Sequence, residues 1–174
     1  MYHYQNLESV SLCDISRCLN AAFSDYAIPV CLNEEDLSGL FLASGIDRSL
    51  SFGAFFEGQM VGCMLNSRGI YQGYRAAFDV ATGVVPEHRG KQVFAGLFAL
   101  ARQTMKQYQI QRYYLEVLQQ NIPAISLYQR RGFSITREFV VFSASASSES
   151  QVPEEVQFTA LTVFDFSETD GIHR

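Results

Sequence analysis

The stretch LEVLQQNIPAISLYQRRGF, residues 115–133, decides the fold more than any other part of the sequence. Its first residues complete a β-rich run, which predicts a strand over 112–118. Asn121 suits the N-cap of a short helix, and Pro123 is tolerated in the first helical turn. Gly132 stands where a helix commonly ends. The stretch therefore predicts a strand, a short helix and, from its last residue onward, another strand.

The segment before it has the pattern strand, helix, strand. Apolar and β-branched residues predict a strand over 76–85, which ends at Pro86. A helix over 91–108 follows, and its apolar residues form two stripes, which indicates contacts on more than one side. The next strand, over 112–118, should be parallel to the first one, with a right-handed crossover between them.

The connection VVPEHRGKQVF, residues 84–94, is predicted to bind an anion, and a pyrophosphate suits it well. Ligands of such sheets bind beyond the carboxyl ends of parallel strands, and a helix start offers unpaired N–H groups. Arg89 and Lys91 add two positive charges, and Gly90 lets the backbone approach closely. No Lys-Ser ending follows, which excludes a P-loop NTPase, and the glycine pattern of a dinucleotide fold is absent.

Short turns between the remaining strands indicate antiparallel pairing, so we expect a mixed, mostly antiparallel α/β sheet with helices on both faces. We predict a single domain over 1–166 and a disordered tail over 167–174. A Ser-rich acidic stretch, 143–155, is interpreted as a mobile hairpin loop. The other predicted elements are an edge strand over 2–7, helices over 11–23 and from Asn33 onward, hairpin strands over 50–56 and 60–66, and β-rich runs over 133–144 and 156–166.

Composition excludes several classes of protein. The 174 residues carry a formal net charge of −5, which disfavours a nucleic-acid binder, although eight basic and only two acidic residues lie between Pro86 and Arg137. No apolar run approaches the ~20 residues of a membrane span, and the N-terminus lacks the pattern of a secretory signal. The four cysteines form no CxxC pair, so neither a disulfide framework nor a metal site is expected. We predict a cytoplasmic location.

Two of these stretches resemble the GNAT superfamily of acyl-CoA-dependent N-acetyltransferases. Residues 89–94 are similar to its motif R/Q-x-x-G-x-G/A, and residues 121–133 match N-x-x-A-x-x-L-Y-x-x-x-G-F at every marked position. The first motif departs from the family at its fourth and sixth positions, which are Gln92 and Phe94. The resemblance covers roughly 2–166, and it implies a GNAT-like sheet in which a parallel pair of strands splays apart.

The resemblance also implies the activity and the site. It implies transfer of an acetyl group from the cosubstrate acetyl-CoA to a primary amine, by direct attack in a ternary complex and without a metal. Tyr128 would be the general acid and Glu116 the general base. The implied acceptor is a small-molecule or peptide amine, and a homodimer is possible. The residues implied to bind CoA are Gly83, Val84, Val85, Arg89, Gly90, Lys91, Gln92, Val93, Phe94 and Asn121.

Several alternatives stay open at this stage. Glu116 can equally be a surface carboxylate paired with Arg112 or Arg75, and Asp79 is the second choice of base. Tyr128 can be a core residue, and Asn121 can serve only as a helix cap. The whole chain can be a non-catalytic acyl-CoA-binding or regulatory module, or one half of a tandem-domain protein. In the family, acceptor specificity often comes from the loops that here span 23–29 and 143–155.

Overall fold

The computed structural model describes residues 1–28, 30–143 and 154–163, with side chains as far as residue 141. The predicted tail over 167–174 and most of the loop over 143–155 lie outside these residues. The chain divides into two compact units, Met1–Ile110 and Gln111–Arg174. The elements are β1 (His3–Asn6), α1 (Leu12–Ala22), α2 (Glu34–Ser44), β2 (Phe52–Phe56), β3 (Gln59–Tyr71), β4 (Tyr74–Val84), α3 (Val93–Gln107), β5 (Arg112–Leu118), α4 (Ile122–Gln129), β6 (Phe133–Ser143) and β7 (Glu154–Val163).

The first unit contains an antiparallel sheet in the order β1-β2-β3-β4, so the predicted edge strand is confirmed. Helix α1 packs on this sheet because its apolar residues recur at helical spacing and form one buried face. Side chains from α1, α2, β3 and the connection after β1 form the core cluster, which consists of Leu7, Val10, Ile15, Cys18, Leu19, Leu37, Cys63 and Leu65.

Helix α2 begins where its sequence predicts. The side chain of Asn33 accepts a hydrogen bond from the Asp36 amide, and the Asp36 carboxylate accepts one from the Asn33 amide. This reciprocal capping box satisfies two amides that the helix itself leaves without partners. Three acidic residues in the first turn also suit the positive end of the helix.

Strands β3 and β4 extend well beyond the strands predicted over 60–66 and 76–85. They are joined by a two-residue turn in which Gln72 and Gly73 have φ of 51° and 80°. Positive φ at both positions matches the twist of the flanking strands, as in type I′ hairpins. The hairpin tip exposes apolar side chains, because Ile70 is 72% and Tyr71 45% exposed.

A bulge interrupts β4 between this tip and its carboxyl end. Leu65 pairs with Ala81 and Asn66 with Asp79, so Val80 is the extra residue on β4. A bulge of this kind bends a strand and increases its local twist. The bulge therefore changes the direction of the last residues of β4, which stay paired with β3 as far as Val84.

The second unit contains an antiparallel sheet in the order β5-β7-β6 together with α4. On β5, Leu115 and Val117 are buried and Glu116 is on the exposed face, as predicted from alternation. Helix α4 ends at Gln129 with Arg130 as its C-cap, and Gly132, with φ of 93°, lies two residues further on in the turn before β6 rather than directly at the helix end. In neither unit do the described residues contain a helix long and apolar enough to cross a membrane.

Candidate active site

The start of α3 has no side-chain cap. Gln92 is its N-cap residue and makes no side-chain capping hydrogen bond, and no acidic residue lies in the first turn. An α-helix cannot satisfy its own first amides, so those of Val93 and Ala95 have no partner within the helix and can donate to a ligand. Together with the helix dipole, these amides favour an anion.

Backbone strain marks the same helix start. Gln92 has φ of 62° and Gly90 has φ of 71°. Glycine adopts this left-handed conformation freely, whereas for glutamine it costs about 1–2 kcal/mol. The family motif has glycine at position 92, so the unusual residue of this chain stands where the backbone favours glycine.

Arg89 makes contacts that its sequence position did not predict. Its guanidinium binds both carboxylate oxygens of Asp25, at 2.6 and 2.8 Å. It also donates to the carbonyl of Val84 at 3.0 Å and to that of Ala22 at 2.8 Å. Four of its five N–H donors are thus used within the protein. The hydrogen bonds from Arg89 lower the pKa of the Asp25 carboxyl, so the pair is charged at neutral pH.

Lys91 differs from Arg89 in this respect. Its side chain is exposed and forms no salt bridge with any residue that the structure describes. Of Arg89 and Lys91, the two residues predicted to contact an anion, only Lys91 has a charge that no described salt bridge uses.

The ring of Phe94 stacks on that of Phe98 one turn further along α3, with centroids 5.8 Å apart.

The end of β4 lies directly against the end of α1. A side chain at Gly83 would place its Cβ 2.8 Å from the Cβ of Ala22 and 3.1 Å from the ring of Phe23. Only glycine fits there, since contacts under 3.0 Å require something to move. The Val84 carbonyl already accepts a hydrogen bond from Arg89, and the Val85 amide donates to Val61 at 2.9 Å.

Close packing also holds α3 in place. A Cβ at Gly96 would lie 2.2 Å from Cζ of Tyr4, and one at Gly62 would lie 3.0 Å from Val93. The helix therefore approaches β1 and β3 at two glycine positions. This packing fixes the position of the first turn of α3 relative to the sheet of its unit.

His88 makes its contacts within the connection between β4 and α3. Its Nδ1 atom lies 2.9 Å from the hydroxyl of Tyr2, and its ring packs on the rings of Tyr2 and Phe56. These contacts anchor the short 3-10 helix Pro86–His88, which connects β4 to the residues before α3.

In the second unit, Tyr128 is 7% exposed and its ring meets that of Phe133 edge-on, with centroids 5.2 Å apart. The ring of Tyr113 also packs on Phe133, at 5.6 Å. The ring of Tyr128 thus contributes to the core, which is the alternative that the sequence left open. The ring contact leaves the catalytic role of the hydroxyl as a prediction.

Glu116 has a different partner from the ones predicted. Its carboxylate lies 3.7 Å from Arg137 on β6, and the two side chains are 36% and 62% exposed. Both residues are aligned with Ala160 of β7, one from each side. Arg75, by contrast, binds the side chain of Gln109. The exposed pair is worth at most about 1 kcal/mol, so it neither requires nor excludes a catalytic carboxylate.

Asn121 acts as the N-cap of α4, since its side-chain oxygen accepts a hydrogen bond from the Ala124 amide at 3.2 Å. The cap uses only the oxygen of the side chain. The NH₂ group of the same side chain can still donate to a ligand, so capping and binding are compatible roles.

Asp79, the second choice of base, is buried and accepts hydrogen bonds from the hydroxyl of Thr82 on both oxygens at 2.8 Å. Cys63 is aligned with Gly83 across β3 and β4, but its side chain is fully buried in the core. Burial raises the pKa of its thiol well above the usual value. Among the described residues no cluster of His, Cys, Asp and Glu could hold a metal ion.

Comparison with known proteins identifies the family. Residues 15–133 match the acetyltransferase (GNAT) family, so the chain belongs to this family of acyltransferases. No curated protein sequence matches the chain.

Solved structures show the fold. The ribosomal-protein-S18-alanine N-acetyltransferase from Escherichia coli has a TM-score of 0.71 at 16% identity, with 100% of both chains covered. Ard1 from Thermoplasma volcanium has a TM-score of 0.71 at 16% identity, covering 94% of this chain and 97% of its own. The PaiA N-acetyltransferase from Thermoplasma acidophilum, solved with coenzyme A, has 0.67 at 18%, covering 94% and 99%. The predicted GNAT-like α/β fold is confirmed.

Proposed function

We propose that the protein is an N-acetyltransferase that transfers an acetyl group from acetyl-CoA to a primary amine. The observation that carries this proposal is the start of α3, where a helix end without a side-chain cap, the helix dipole and Lys91 meet in a chain of the GNAT family. The backbone of residues 83–85 and 90–94 would bind the cosubstrate, with the side chains of Lys91 and Asn121. Arg89 would contribute chiefly through its backbone, because its guanidinium is used by Asp25.

Direct attack by the amine is the proposed mechanism. A covalent acetyl-enzyme would need a reactive thiolate, and a thiol is reactive only when its pKa is low. Cys63 is buried and its pKa is raised, and burial also raises the pKa of Cys18 to about 12. Neither core cysteine is suited to carry the acetyl group, so the proposal places no covalent intermediate on Cys18 or Cys63.

Two proton transfers remain. An amine with a pKa near 10.4 is mostly charged at neutral pH and must lose a proton before it attacks. We assign this step to Glu116, directly or through a bound water. The departing thiolate of CoA must gain a proton, and we assign this step to the hydroxyl of Tyr128, the tyrosine of the second family motif. The acceptor is a small-molecule or peptide amine, and the aromatic rings of the loop over 23–28 suit a cation.

The test of the proposal has two parts. Titration calorimetry with acetyl-CoA and other CoA esters should show binding at micromolar concentrations. Incubation of the protein with acetyl-CoA and a panel of polyamines, amino acids, aminoglycosides and short peptides should release free CoA thiol over time. No heat with any CoA ester would contradict both binding and catalysis.

The second candidate function is a non-catalytic acyl-CoA-binding or regulatory module. The specific observation in its favour is the departure from the family motif at Gln92 and Phe94. It predicts binding of acetyl-CoA without thiol release from any amine, and binding that Tyr128→Phe leaves unchanged. The cytoplasmic location and the homodimer stay predictions.

The substitution Glu116→Gln should lower kcat/KM about 100-fold and remove the acidic limb of the pH–rate profile. A general base contributes about 10²–10⁴-fold, and the amide of glutamine cannot accept the proton. Steady-state thiol release between pH 5.5 and 9 measures both effects.

Arg137→Gln is the matched control, because it removes the other member of the same ion pair. If Glu116 is the base, this variant should retain kcat/KM within about threefold. Equal losses in the two variants would show that only the ion pair matters, and Glu116 would then be no general base.

The substitution Gln92→Gly should both stabilise the protein by about 0.5–1 kcal/mol and tighten acetyl-CoA binding. Glycine relieves the strain of a positive φ, although its greater freedom in the unfolded chain offsets part of the gain. It also removes a long side chain from the first turn of α3. Urea unfolding and titration calorimetry measure the two effects.

Gln72→Gly is the control, since Gln72 is also a glutamine with positive φ but lies in the β3–β4 turn. It should give a similar gain in stability and leave the affinity for acetyl-CoA unchanged. Weaker acetyl-CoA binding by Gln92→Gly would show that the glutamine side chain itself contacts the ligand.

A further inference from the structure

The segment 22–26, which consists of the last residue of α1 and the four residues after it, is held against the end of β4 from two sides. Gly83 lies so close to Ala22 and Phe23 that no larger residue fits there. The guanidinium of Arg89 joins the Ala22 carbonyl, the Asp25 carboxylate and the Val84 carbonyl. A single side chain thus binds both the segment and the strand end, through planar geometry that a lysine cannot reproduce.

The segment carries two aromatic rings at this position. Phe23 and Tyr26 pack edge-on with centroids 5.2 Å apart, and the Tyr26 amide donates to the Phe23 carbonyl at 3.0 Å. The ring of Phe23 lies beside Gly83. If the acyl arm binds at the backbone of residues 83–85, as proposed above, an amine that attacks the thioester must pass close to these rings.

A separate set of contacts fixes the later part of the same loop. The Asn20 side chain donates to the Leu32 carbonyl at 2.9 Å and accepts from the Leu32 amide at 2.8 Å. These bonds do not involve Arg89 or Asp25. Loss of the Asp25–Arg89 pair should therefore release residues 23–26 and leave residues 12–21 of α1 and the residues around Leu32 in place.

We propose that Asp25 and Arg89 are positioning residues, which hold Phe23 and Tyr26 against the end of β4 so that the segment 22–26 forms a fixed wall beside the reacting acceptor. This inference rests on the proposed function. It assigns the Arg89 side chain to the acceptor side of the reaction, and it leaves Lys91 and the backbone amides to bind the diphosphate.

The experiment compares Asp25→Asn, Arg89→Gln, the double variant and Lys91→Gln. Asp25→Asn should raise the KM of the best amine in the panel about tenfold and change the Kd of acetyl-CoA less than twofold. Arg89→Gln should raise the amine KM at least as much, because it also removes the hydrogen bonds to the Ala22 and Val84 carbonyls. The double variant should match Arg89→Gln, since the contact with Asp25 is already lost there. Lys91→Gln should show the opposite split, with weaker acetyl-CoA binding and an unchanged amine KM.

Hydrogen exchange supplies a readout that does not depend on catalysis. Amides of residues 23–26 should exchange at least tenfold faster in Asp25→Asn, whereas those of residues 12–21 and of Leu32 should keep wild-type rates. Wild-type exchange and wild-type amine KM in this variant would overturn the inference. So would a tenfold loss of acetyl-CoA affinity in Arg89→Gln alone, since Arg89 would then be a ligand of the diphosphate. Absence of any acetyl-CoA binding by the wild type would refute the proposed function, and the exchange rates would still decide whether the pair holds the segment.

Discussion

Replacement of Tyr128 by phenylalanine should lower kcat about 100-fold while the Kd of acetyl-CoA stays within twofold of wild type. The phenylalanine ring preserves the edge-on contact with Phe133 and removes only the hydroxyl. A phenol with a pKa near 10 can protonate a thiolate only from a well-placed position, and loss of such a general acid costs about 10²–10⁴-fold. Steady-state thiol release and calorimetry measure the two quantities.

Tyr113→Phe is the matched control, because it removes a hydroxyl from the other tyrosine that packs on Phe133. Its kcat should stay within about threefold of wild type. A Tyr128→Phe variant with more than a third of the wild-type kcat would show that another group protonates the thiolate. Equal losses in both variants would show that the aromatic cluster matters rather than the Tyr128 hydroxyl.

The largest effect on stability is expected from Gly96→Ala, which should destabilise the protein by about 1–3 kcal/mol. The added methyl group would lie 2.2 Å from Cζ of the half-buried Tyr4, so the tyrosine ring or the helix must move. The better helix propensity of alanine offsets only about 1 kcal/mol of this cost. Urea unfolding followed by far-ultraviolet circular dichroism measures the change.

A Tyr4→Ala background isolates the cause. With the tyrosine ring removed, Gly96→Ala should stabilise the protein by up to about 1 kcal/mol, because only the helix propensity remains. The same substitution thus changes sign between the two backgrounds. A loss of equal size in both would mean that the ring of Tyr4 is not what excludes a side chain at this position.

The elements that the sequence predicts well are those whose signals are local. The capping box of α2 needs only Asn33 and Asp36, three residues apart. The start of α4 needs only Asn121, which caps it. In each case the residues that mark a helix boundary lie within about one helical turn of it, so the boundary depends little on tertiary contacts.

The features that the sequence did not predict depend on long-range contacts or on register. Asp25 and Arg89 are 64 residues apart, and nothing in either neighbourhood indicates the other. The partner of Glu116 was expected to be Arg112 or Arg75, whereas the structure brings Arg137 next to it. A register shift between Ile135 and Arg137 aligns Arg137 with Ala160 of β7, and the sequence shows no sign of that shift.

The β3–β4 turn was missed for a different reason. Hairpin turns with positive φ at both positions usually carry Asn-Gly or Asp-Gly, and here the first residue is Gln72. Gln92 is another such case, since it adopts a backbone conformation that its residue type rarely takes. In both cases tertiary structure imposes a conformation that local preference opposes.

The length of the β3–β4 hairpin makes its turn a suitable site for attaching a label or a surface linker. Ten residue steps along β4 separate Tyr74 from Val84, a path of about 33 Å at the usual rise of a strand. A fluorophore, an affinity tag or a surface linker attached at Gln72 would sit at the opposite end of the strand from the residues proposed to bind acetyl-CoA. Immobilised or labelled protein prepared in this way should turn over at the rate of the free enzyme.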